Sequence, residues 1–543
     1  METKLQQQLD TIFPTEKEIP AAYQFDKTIE QREYLVNGEI KIWAGEVQDV
    51  YSPIHVNING KVTQKRLGSQ PVLDKMAATE ALEAAVTAYD NGRGEWATMS
   101  VKKRIQHMIQ FTKRMKEKRS EVVNCLMWEI GKSLADSQKE FDRTIDYIND
   151  TIESLKNLDR DSSRIQNVQG VYAQIRRGPL GVVLCMGPYN YPLNETYCTL
   201  IPALIMGNSV IFKPAKYGVL LHKPLLEIFR DCFPKGVINV IYGHGPETSG
   251  TLMQSGKIDV LAFIGTSRVA NILKKQHPQP NRLRGALGLE AKNPAIILAD
   301  ADLDLTVAEV ITGSLSYNGQ RCTALKMIFV HESIAEEFLS RYEIALKKLI
   351  YGMPWTEKVA LTPLPEAGKI AYLQGLIADA ESKGAKIYNE NGGASSYSFM
   401  YPAVLTGVNS TMRIWHEEQF GPVVPVATFS SINEPIQYMV KSPYGQQASI
   451  FGTNADELAK LIDPLVNQVC RLNINSQCQR GPDVYPFNGR KDSAEGTLSV
   501  SDALRVFSIR TLVAAKEGDA NSKILTEILE KRKSTFLSTD YML

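Results

Sequence analysis

The chain has 543 residues, of which 43% are hydrophobic and 22% are charged. This composition is typical of a packed globular protein and excludes an intrinsically disordered one. The length predicts about three domains of ordinary size, or two large ones. Lys and Arg total 61 against 60 Asp and Glu, which gives a formal net charge of +1. We therefore expect neither nucleic acid nor a membrane surface as the main partner.

The cysteine pattern and the first residues of the chain indicate the cellular compartment of the protein. Seven cysteines are scattered along the chain with no C-x-x-C pair and no His/Cys cluster, which favours a reducing environment and predicts no metal site. The first residues, METKLQQQLDTIF, lack the apolar core of a signal peptide. No run of about 18 uncharged apolar residues is present, so we expect no transmembrane helix. Together these features predict a cytoplasmic protein.

The predicted elements begin with helices. Stretches 79–89, 101–118 and 122–155 space their apolar residues at the helical period and carry charged outer faces. Short apolar runs without alternation follow, as expected for strands buried on both faces of a parallel sheet. These runs cover 181–186, 209–212, 237–242, 258–263 and 295–298, with room for crossover helices at 192–206 and 220–233.

The second half predicts a further α/β segment over 300–480. Helices are expected near 332–349 and 366–383, and loop-rich tracts cover 388–401 and 478–492. In the tail an amphipathic pattern favours a helix docked on the surface over a partner-binding motif; its apolar side has Ile524, Leu525, Ile528 and Leu529.

Glycines and polar residues follow the ends of the predicted strands. In open parallel sheets, ligands bind just beyond the carboxyl ends of the strands. We therefore expect a ligand site among Asn190, Lys213, Lys216, Gly243, Gly245, Gly265 and Thr266. The strict G-x-G-x-x-G fingerprint is absent, so spacing alone does not identify a nucleotide.

Three short sequence patterns each have both a structural and a functional interpretation. Cys322 lies in GQRCT (319–323), either as a core cysteine or as a nucleophile whose thiolate form the adjacent guanidinium favours. Asn190 either caps a helix or donates its amide to an oxyanion. Lys213 and Lys216 either form a solvated turn or bind phosphate near a helix N-terminus.

Six motifs in order carry a family resemblance: over about residues 75–515 the chain resembles the aldehyde dehydrogenase superfamily. The motifs are GPYNYP (187–192), GNSVIFKP (207–214), FIGTS (263–267), GQRCT (319–323), EEQFGPV (417–423) and PFNGRKDS (486–493). Within it the chain is most similar to the non-phosphorylating, NADP-dependent glyceraldehyde-3-phosphate dehydrogenases, through YNGQRCTA and NINSQCQRGPDVYPF.

The resemblance implies an α/β fold of two domains and an arm, followed by a C-terminal extension. A Rossmann-type cofactor domain would cover 1–155 and 178–290, a catalytic α/β domain 291–487, a small β oligomerisation arm 156–177 and 488–515, and a C-terminal extension 516–543. The alternating segment 170–176 supports the arm. A homodimer or homotetramer, joined through the arm, is also implied.

The resemblance also assigns chemistry to individual residues. Cys322 is expected to attack an aldehyde, and Asn190, with the Cys322 N–H, to stabilise the oxyanion that forms. Hydride transfer to a nicotinamide would then leave a thioester for water to hydrolyse. NADP is favoured over NAD because most NAD-using relatives carry an acid at the position of Lys216. The implied cofactor-binding residues are Pro188, Lys213, Lys216, Gly243, Gly265, Thr266, Glu418 and Phe420.

An anionic substrate is expected from four residues that match substrate-cavity positions. They are Arg143, Tyr191, Arg321 and Arg480. Guanidinium groups bind phosphate through paired N–H donors. The implied reaction is therefore oxidation of D-glyceraldehyde 3-phosphate, a small phosphorylated aldehyde, to 3-phosphoglycerate with NADP.

One position departs from the family pattern. The general base normally lies in an ELGGK motif, and here its position is Gly288. We expect Glu290 to replace it, because residues two apart in an extended segment face the same side. A CoA-acylating enzyme, which also lacks that glutamate, or a dehydrogenase of another small anionic semialdehyde remains open. A catalytically idle structural or binding protein on the same scaffold is the alternative of another class.

Overall fold

The structure, a computed structural model, describes residues 5, 8–9 and 11–538. It contains two large β-sheets whose strands are mostly parallel. The outermost positions of the predicted domain ranges, 1 and 543, lie outside the described residues. The strands are β1 (Ile29–Glu30), β2 (Glu33–Val36), β3 (Glu39–Ile42), β4 (Val47–Ile58), β5 (Lys61–Pro71), β6 (Gln166–Val168), β7 (Val171–Pro179), β8 (Val182–Met186), β9 (Ser209–Lys213), β10 (Ile238–Val240), β11 (Val260–Ile264), β12 (Arg284–Gly288), β13 (Asn293–Ile297), β14 (Leu325–His331), β15 (Ile350–Tyr351), β16 (Val359–Leu361), β17 (Lys386–Ile387), β18 (Ser395–Ser396), β19 (Phe399–Met400), β20 (Ala403–Thr406), β21 (Val423–Phe429), β22 (Tyr444–Gly445), β23 (Gln447–Phe451), β24 (Arg471–Ile474), β25 (Arg490–Lys491), β26 (Ala494–Glu495) and β27 (Ser508–Lys516).

Helices cover the faces of both sheets. The α-helices are α1 (Lys75–Tyr89), α2 (Glu95–Thr98), α3 (Val101–Lys116), α4 (Arg119–Ile130), α5 (Leu134–Ser162), α6 (Asn194–Ile205), α7 (Leu226–Cys232), α8 (Thr251–Gln254), α9 (Ser267–Gln276), α10 (Leu303–Leu315), α11 (Ala335–Lys347), α12 (Lys369–Ser382), α13 (Arg413–His416), α14 (Asn433–Lys441), α15 (Ala455–Leu465), α16 (Val500–Val506) and α17 (Asp519–Glu530). None of the helices in the described ranges is both long and apolar enough to cross a membrane.

The first sheet has the strand order β26-β12-β11-β8-β9-β10-β2-β3. Its five central strands run parallel, and β26, β2 and β3 join antiparallel at the edges. The strands predicted at 181–186, 209–212, 237–242 and 258–263 are confirmed as β8 to β11. All of β8 is buried, as its unbroken apolar run predicts. Strand β12 was not predicted, because its sequence, RGALG, has too few apolar residues to stand out.

The second sheet has the order β17-β20-β21-β14-β13-β23-β24 and is parallel except at β17. The run predicted at 295–298 belongs here, as β13. The helices predicted near 332–349 and 366–383 are present as α11 and α12. Strand β12 ends at Gly288 and β13 begins at Asn293, on either side of the predicted domain boundary at 290/291.

The helical region predicted over 122–155 is divided in two. Gly131 ends α4 in the left-handed conformation, with φ +64°, and a Cβ there would meet the Pro363 carbonyl oxygen at 2.4 Å. Ser133 then caps α5 by accepting a hydrogen bond from the Asp136 N–H at 3.1 Å. Helix α5 continues to Ser162, beyond the predicted domain boundary at 155.

A separate antiparallel sheet forms from β6, β7 and β27. Strands β7 and β27 pair from Pro179 with Ser508 to Val171 with Lys516, and β27 is mostly exposed. The predicted arm segment 488–515 also contains helix α16, which its strand assignment missed. The tail helix predicted from its amphipathic pattern is present as α17, and none of its residues is fully buried.

Candidate active site

A cavity of about 370 Å³ opens beside Cys322. Cys322 lies between α10 and β14, and its side chain is partly exposed to the cavity. The cavity wall also includes Tyr191 from the loop before α6. The charged residues of the wall are the cations Lys139, Arg143, Arg321 and Arg480 and the acids Asp136, Glu140 and Glu195. A nucleophile-type side chain therefore faces a cavity whose wall carries both signs of charge.

The loop that carries Cys322 has an unusual backbone. Tyr317, Asn318 and Gly319 all adopt left-handed φ values, of +49°, +56° and +71°. The Asn318 side chain holds this turn by exchanging hydrogen bonds with Thr362. A Cβ at Gly319 would lie 2.8 Å from the carbonyl oxygen of Ser314, so only glycine fits there. Backbone strain of this kind persists where the surrounding structure enforces it, often at functional sites.

Asn190 lies against the same loop. Its Nδ2 donates a hydrogen bond to the Gln320 carbonyl oxygen at 2.8 Å. A side-chain amide has two N–H groups, so a second donor remains. The N–H of Cys322 donates no hydrogen bond to any described residue. These groups are the two oxyanion donors that the sequence analysis expects, and their roles stay predictions.

The electrostatic surroundings keep the Cys322 thiol protonated. Burial and the negative charge of Glu195 raise its pKa, the cations Lys326 and Arg480 lower it, and the net result is a pKa of about 11. Lys326 is buried; its Nζ donates to the Cys322 carbonyl oxygen at 2.8 Å and pairs with Glu418 at 2.8 Å. Sequence analysis missed Lys326, although a lone lysine inside the buried strand β14 is a signal of a functional cation.

Two of the predicted substrate arginines are already bound by carboxylates. Arg143 makes two hydrogen bonds to Asp483, at 2.9 and 2.7 Å. Arg480 is buried, contacts Glu195 and Asp483, and donates to the Leu498 carbonyl oxygen. Carboxylates that were not predicted therefore accept from several of the N–H donors of these two arginines, and their substrate-binding role stays a prediction.

Arg321 differs from the other arginines of the cavity. Its Nη2 donates to the carbonyl oxygens of Thr312 and Gly313, but its buried Nε has no partner among the described residues. Tyr191 lies nearby with its ring under the Lys132 Nζ, which is 3.5 Å from the ring centroid. Arg321 therefore keeps N–H donors for an anion and, unlike Arg143 and Arg480, pairs with no carboxylate of the described residues.

The predicted cofactor residues meet at one edge of the first sheet. Register pairs Met186 with both Lys213 and Phe263, so β8, β9 and β11 end together. The residues beyond these ends, and beyond β10, are Pro188, Lys213, Lys216, Gly243, Gly265 and Thr266. Thr266 caps helix α9 by accepting from the Val269 N–H at 3.3 Å. The structure therefore groups residues that lie up to 78 positions apart in the chain.

Lys213 provides a test of whether a nucleotide fits this edge. Its amine has no hydrogen bond or ion pair with any described residue, and burial lowers its pKa to about 8. Lys216 is exposed, with its Nζ 5.4 Å from the Tyr217 ring centroid. A Cβ at Gly245 would meet no atom within 4 Å, so the surface there is open. An unpartnered, partly buried cation beside an exposed one fits the sugar and phosphate groups of a nucleotide.

Glu418 and Phe420 border this edge from the catalytic side. Glu418 accepts from the Ala291 N–H at 3.1 Å in addition to its ion pair with Lys326. Lys292 fixes the segment by donating to the Glu417 carbonyl oxygen at 2.7 Å. The Phe420 ring lies 5.9 Å from the ring of Tyr189. The segment is therefore held rigidly in place, and its cofactor-binding role stays a prediction.

Glu290 does not take the position that sequence analysis expects. Its Oε2 accepts a hydrogen bond from the Ser267 N–H, at the start of α9, at 2.6 Å. Glu290 is not among the residues that line the cavity of Cys322. The alternation rule does not apply, because β12 ends at Gly288 and Glu290 lies in the loop that follows. In this structure the carboxylate faces a helix N-terminus rather than the nucleophile.

Two further observations complete the site. The described residues contain no group of three or more His, Cys, Asp or Glu side chains placed to hold a metal ion. Glu195, in the first turn of α6, lies on the wall of the cavity, and sequence analysis did not assign it. Its signal was an acid three residues after the GPYNYP motif, at the start of the helix that follows Asn190.

Comparisons with known proteins agree with this arrangement. A family model described as the aldehyde dehydrogenase family matches residues 52–512. An NADP-dependent glyceraldehyde-3-phosphate dehydrogenase from Streptococcus equinus is 31% identical over 90% of this chain and 98% of its own length. An alpha-ketoglutaric semialdehyde dehydrogenase from Bacillus subtilis (strain 168) is 28% identical over 88% of this chain and 97% of its own length.

Solved structures show the same fold. An NADP-dependent glyceraldehyde-3-phosphate dehydrogenase from Bacillus halodurans C-125, crystallised with NADP, superposes with a TM-score of 0.81 at 29% identity. The match covers 90% of this chain and all of that one. Because the family model spans most of the sequence and the relatives match over nearly their full length, the chain belongs to the aldehyde dehydrogenase family.

Proposed function

We propose that this aldehyde dehydrogenase oxidises D-glyceraldehyde 3-phosphate to 3-phosphoglycerate, with NADP as the electron acceptor. The observation that carries the proposal is the position of Cys322 on the wall of a cavity that also presents Arg321; both follow Gln320, whose carbonyl oxygen accepts from the Asn190 amide. The similarity to relatives named for this activity supports the same substrate.

The first step is attack by the Cys322 sulfur on the aldehyde carbon. The thiol has to lose its proton first, and Lys326 and Arg480 favour the thiolate. The new S–C bond places a negative charge on the former carbonyl oxygen. The second N–H of the Asn190 amide and the N–H of Cys322 stabilise that charge, and one such donor is typically worth about 3 kcal/mol.

The second half of the reaction needs an electron acceptor and water. A bound nicotinamide would supply the chemistry of hydride acceptance, and this leaves a thioester on Cys322. Lys213 and Lys216 would hold the adenosine ribose and its 2′-phosphate, which supports NADP over NAD. Glu418 would hold the nicotinamide ribose, and Arg321 the phosphate of the substrate. Hydrolysis of the thioester then needs a base; the sequence predicts Glu290, whose carboxylate accepts a hydrogen bond from the Ser267 N–H in this structure.

A second candidate activity is transfer of the acyl group to coenzyme A. It is favoured by one observation: the position of the usual base is Gly288, and Glu290 is bound to the Ser267 N–H. A semialdehyde substrate is a variant of the main proposal, since guanidinium groups bind carboxylates as well as phosphates.

Spectrophotometry of NADPH formation tests the proposal. The purified protein is mixed with NADP and glyceraldehyde 3-phosphate without inorganic phosphate or coenzyme A, and we expect steady turnover and 3-phosphoglycerate. Turnover that requires coenzyme A would support the acyl-transfer candidate. Faster turnover with succinic semialdehyde would reassign the substrate. A Cys322 thiol that does not react with iodoacetamide would favour an idle scaffold. A thiol that reacts equally fast with and without NADP and substrate would favour it as well.

We also propose that the protein is a homodimer or homotetramer assembled through the sheet of β6, β7 and β27. Apolar side chains on this sheet are exposed in the single chain: Val168 is 61% exposed, Ile509 48% and Leu512 57%. Light scattering after size exclusion gives the mass, and Leu512→Arg is expected to lower it.

A further inference from the structure

A second carboxylate, Glu195, faces Cys322 from the substrate side. It lies in the first turn of α6 and lines the same cavity as Cys322. Its side chain is 10% exposed, so it reaches the cavity while remaining mostly enclosed. The two groups interact electrostatically, because the negative charge of Glu195 raises the pKa of the Cys322 thiol.

One oxygen of Glu195 is held and the other is available. Oε2 accepts a hydrogen bond from Nη1 of Arg480, a buried residue. Oε1 accepts no hydrogen bond from any residue in the described ranges. Arg480 therefore fixes the direction of the carboxylate and leaves one oxygen free to accept a proton from water.

The other acids near Cys322 have partners of their own, and Glu418, which also raises the pKa of the Cys322 thiol, pairs with Lys326 and accepts from the Ala291 N–H. Glu140 pairs with Lys132 and accepts from the N–H groups of Leu193 and Asn194. Asp136 accepts from the Ser133 hydroxyl in the first turn of α5. Glu290 lies outside the cavity wall and accepts from Ser267.

We propose that Glu195 is the catalytic base that activates water for hydrolysis of the Cys322 thioester. This inference rests on the proposed function, in which a thioester forms. Water attacks the thioester carbon while one of its protons passes to Glu195 Oε1. The tetrahedral oxyanion collapses, the C–S bond breaks, and the electron pair returns to sulfur as the Cys322 thiolate. The product carboxylic acid loses its proton, and Glu195 releases its own proton through the open cavity.

The variant Glu195→Gln separates the two half-reactions. Rapid mixing with NADP and glyceraldehyde 3-phosphate is expected to give a burst of one NADPH per Cys322, followed by turnover reduced about 100-fold or more. Hydroxylamine attacks thioesters without a base, so adding it is expected to restore continuous NADPH formation. Glu195→Asp keeps the charge next to Arg480 and is expected to show the burst with a smaller loss of turnover.

Controls distinguish this role from a structural one. Glu153→Gln changes an exposed glutamate on α5 and is expected to behave as wild type. Thermal denaturation establishes that each variant is folded. Glu195→Gln is also expected to alkylate faster with iodoacetamide, because the thiol pKa falls when the neighbouring charge is removed.

Each other outcome overturns the inference. If Glu195→Gln turns over like wild type, Glu195 is not the base. The same conclusion follows if folded Glu195→Gln turns over slowly but gives no burst of NADPH. A burst in Glu290→Gln, with unchanged turnover in Glu195→Gln, assigns the base to Glu290. If Glu195→Gln does not fold, Glu195→Asp without a burst overturns the proposal. Wild-type protein that makes no NADPH without coenzyme A overturns both this inference and the proposed function, whereas normal wild-type turnover with a normal Glu195→Gln rejects the inference alone.

Discussion

The Glu290 carboxylate accepts a hydrogen bond from the Ser267 backbone N–H, 2.6 Å away at the start of helix α9. A helix N-terminus of this kind is a binding site for anions, through its free N–H groups and its dipole. Thr266, which caps the helix, is among the predicted cofactor residues. We therefore expect the phosphates of a dinucleotide bound at this edge to compete with the Glu290 carboxylate for the positive end of α9.

Replacing Glu290 by Gln is expected to strengthen NADP binding. The substitution removes one negative charge from the helix N-terminus, and such interactions are worth up to about 1 kcal/mol, or roughly fivefold in Kd. Titration of intrinsic tryptophan fluorescence with NADP measures the change without relying on turnover. Glu336→Gln, an exposed substitution on α11, is the matched control. Equal or weaker affinity in Glu290→Gln would contradict competition at α9.

NADP affinity is expected to fall as pH rises through about 8. Burial lowers the pKa of Lys213 from its usual value near 10.5 to about 8, so the cation that attracts the nucleotide is present below pH 8 and is lost above it. NADP Kd values between pH 6.5 and 9.5, measured by the same titration, test this. Lys213→Arg stays charged throughout and is expected to flatten the profile. A wild-type Kd that does not change across this range would refute the prediction.

Lys326→Met is expected to slow alkylation of Cys322. The Lys326 cation favours the thiolate, so its removal raises the pKa of the thiol still further above its usual range. One pKa unit corresponds to about a tenfold slower reaction with iodoacetamide at pH 8. Lys347→Met, at an exposed position on α11, serves as the control. Unchanged alkylation in Lys326→Met would show that this lysine acts only on Glu418 and the backbone.

Gly319→Ala is expected to destabilise the protein and distort the nucleophile loop. The new Cβ would lie 2.8 Å from the Ser314 carbonyl oxygen and 2.9 Å from that of Gly421, at a φ of +71°. Left-handed backbone costs a residue with a side chain about 1–3 kcal/mol in such a setting. Denaturant unfolding measures the free energy.

Gly375→Ala in α12 provides the comparison. A Cβ there would meet no atom within 4 Å, and alanine is favoured over glycine in a helix by roughly 1 kcal/mol. We therefore expect opposite signs for the two glycines. Equal effects would mean that the clash at Gly319 is relieved by movement of the loop.

The strands and the ligand edge were predictable because their signals are local. Unbroken apolar runs such as 182–186 mark buried strands, and the residues that follow them lie at one edge of a parallel sheet by topology alone. Motif order also located Cys322 and Asn190. The division of the helical region at Gly131 was not predictable from periodicity, because the apolar spacing continues across the turn.

The ion pairs of the candidate site could not be predicted from the sequence. Arg143 and Arg480 lie on the cavity wall as expected, but Asp483 and Glu195 occupy their donors, and these partners are distant in the chain or were not recognised. Glu290 was misplaced because the expectation assumed an extended strand where the chain has already entered a loop. In each case the sequence did not reveal where a side chain points, because that depends on tertiary contacts.

The residues that surround the cavity and those at the nucleotide edge form separate sets: Lys213, Gly243, Gly265 and Glu418 are absent from the cavity wall. The cavity is therefore one approach to the sulfur of Cys322, and the predicted cofactor residues lie outside its wall. We expect a small electrophile that enters from the cavity to reach the thiol without expelling a dinucleotide, so that NADP without substrate does not block covalent labelling.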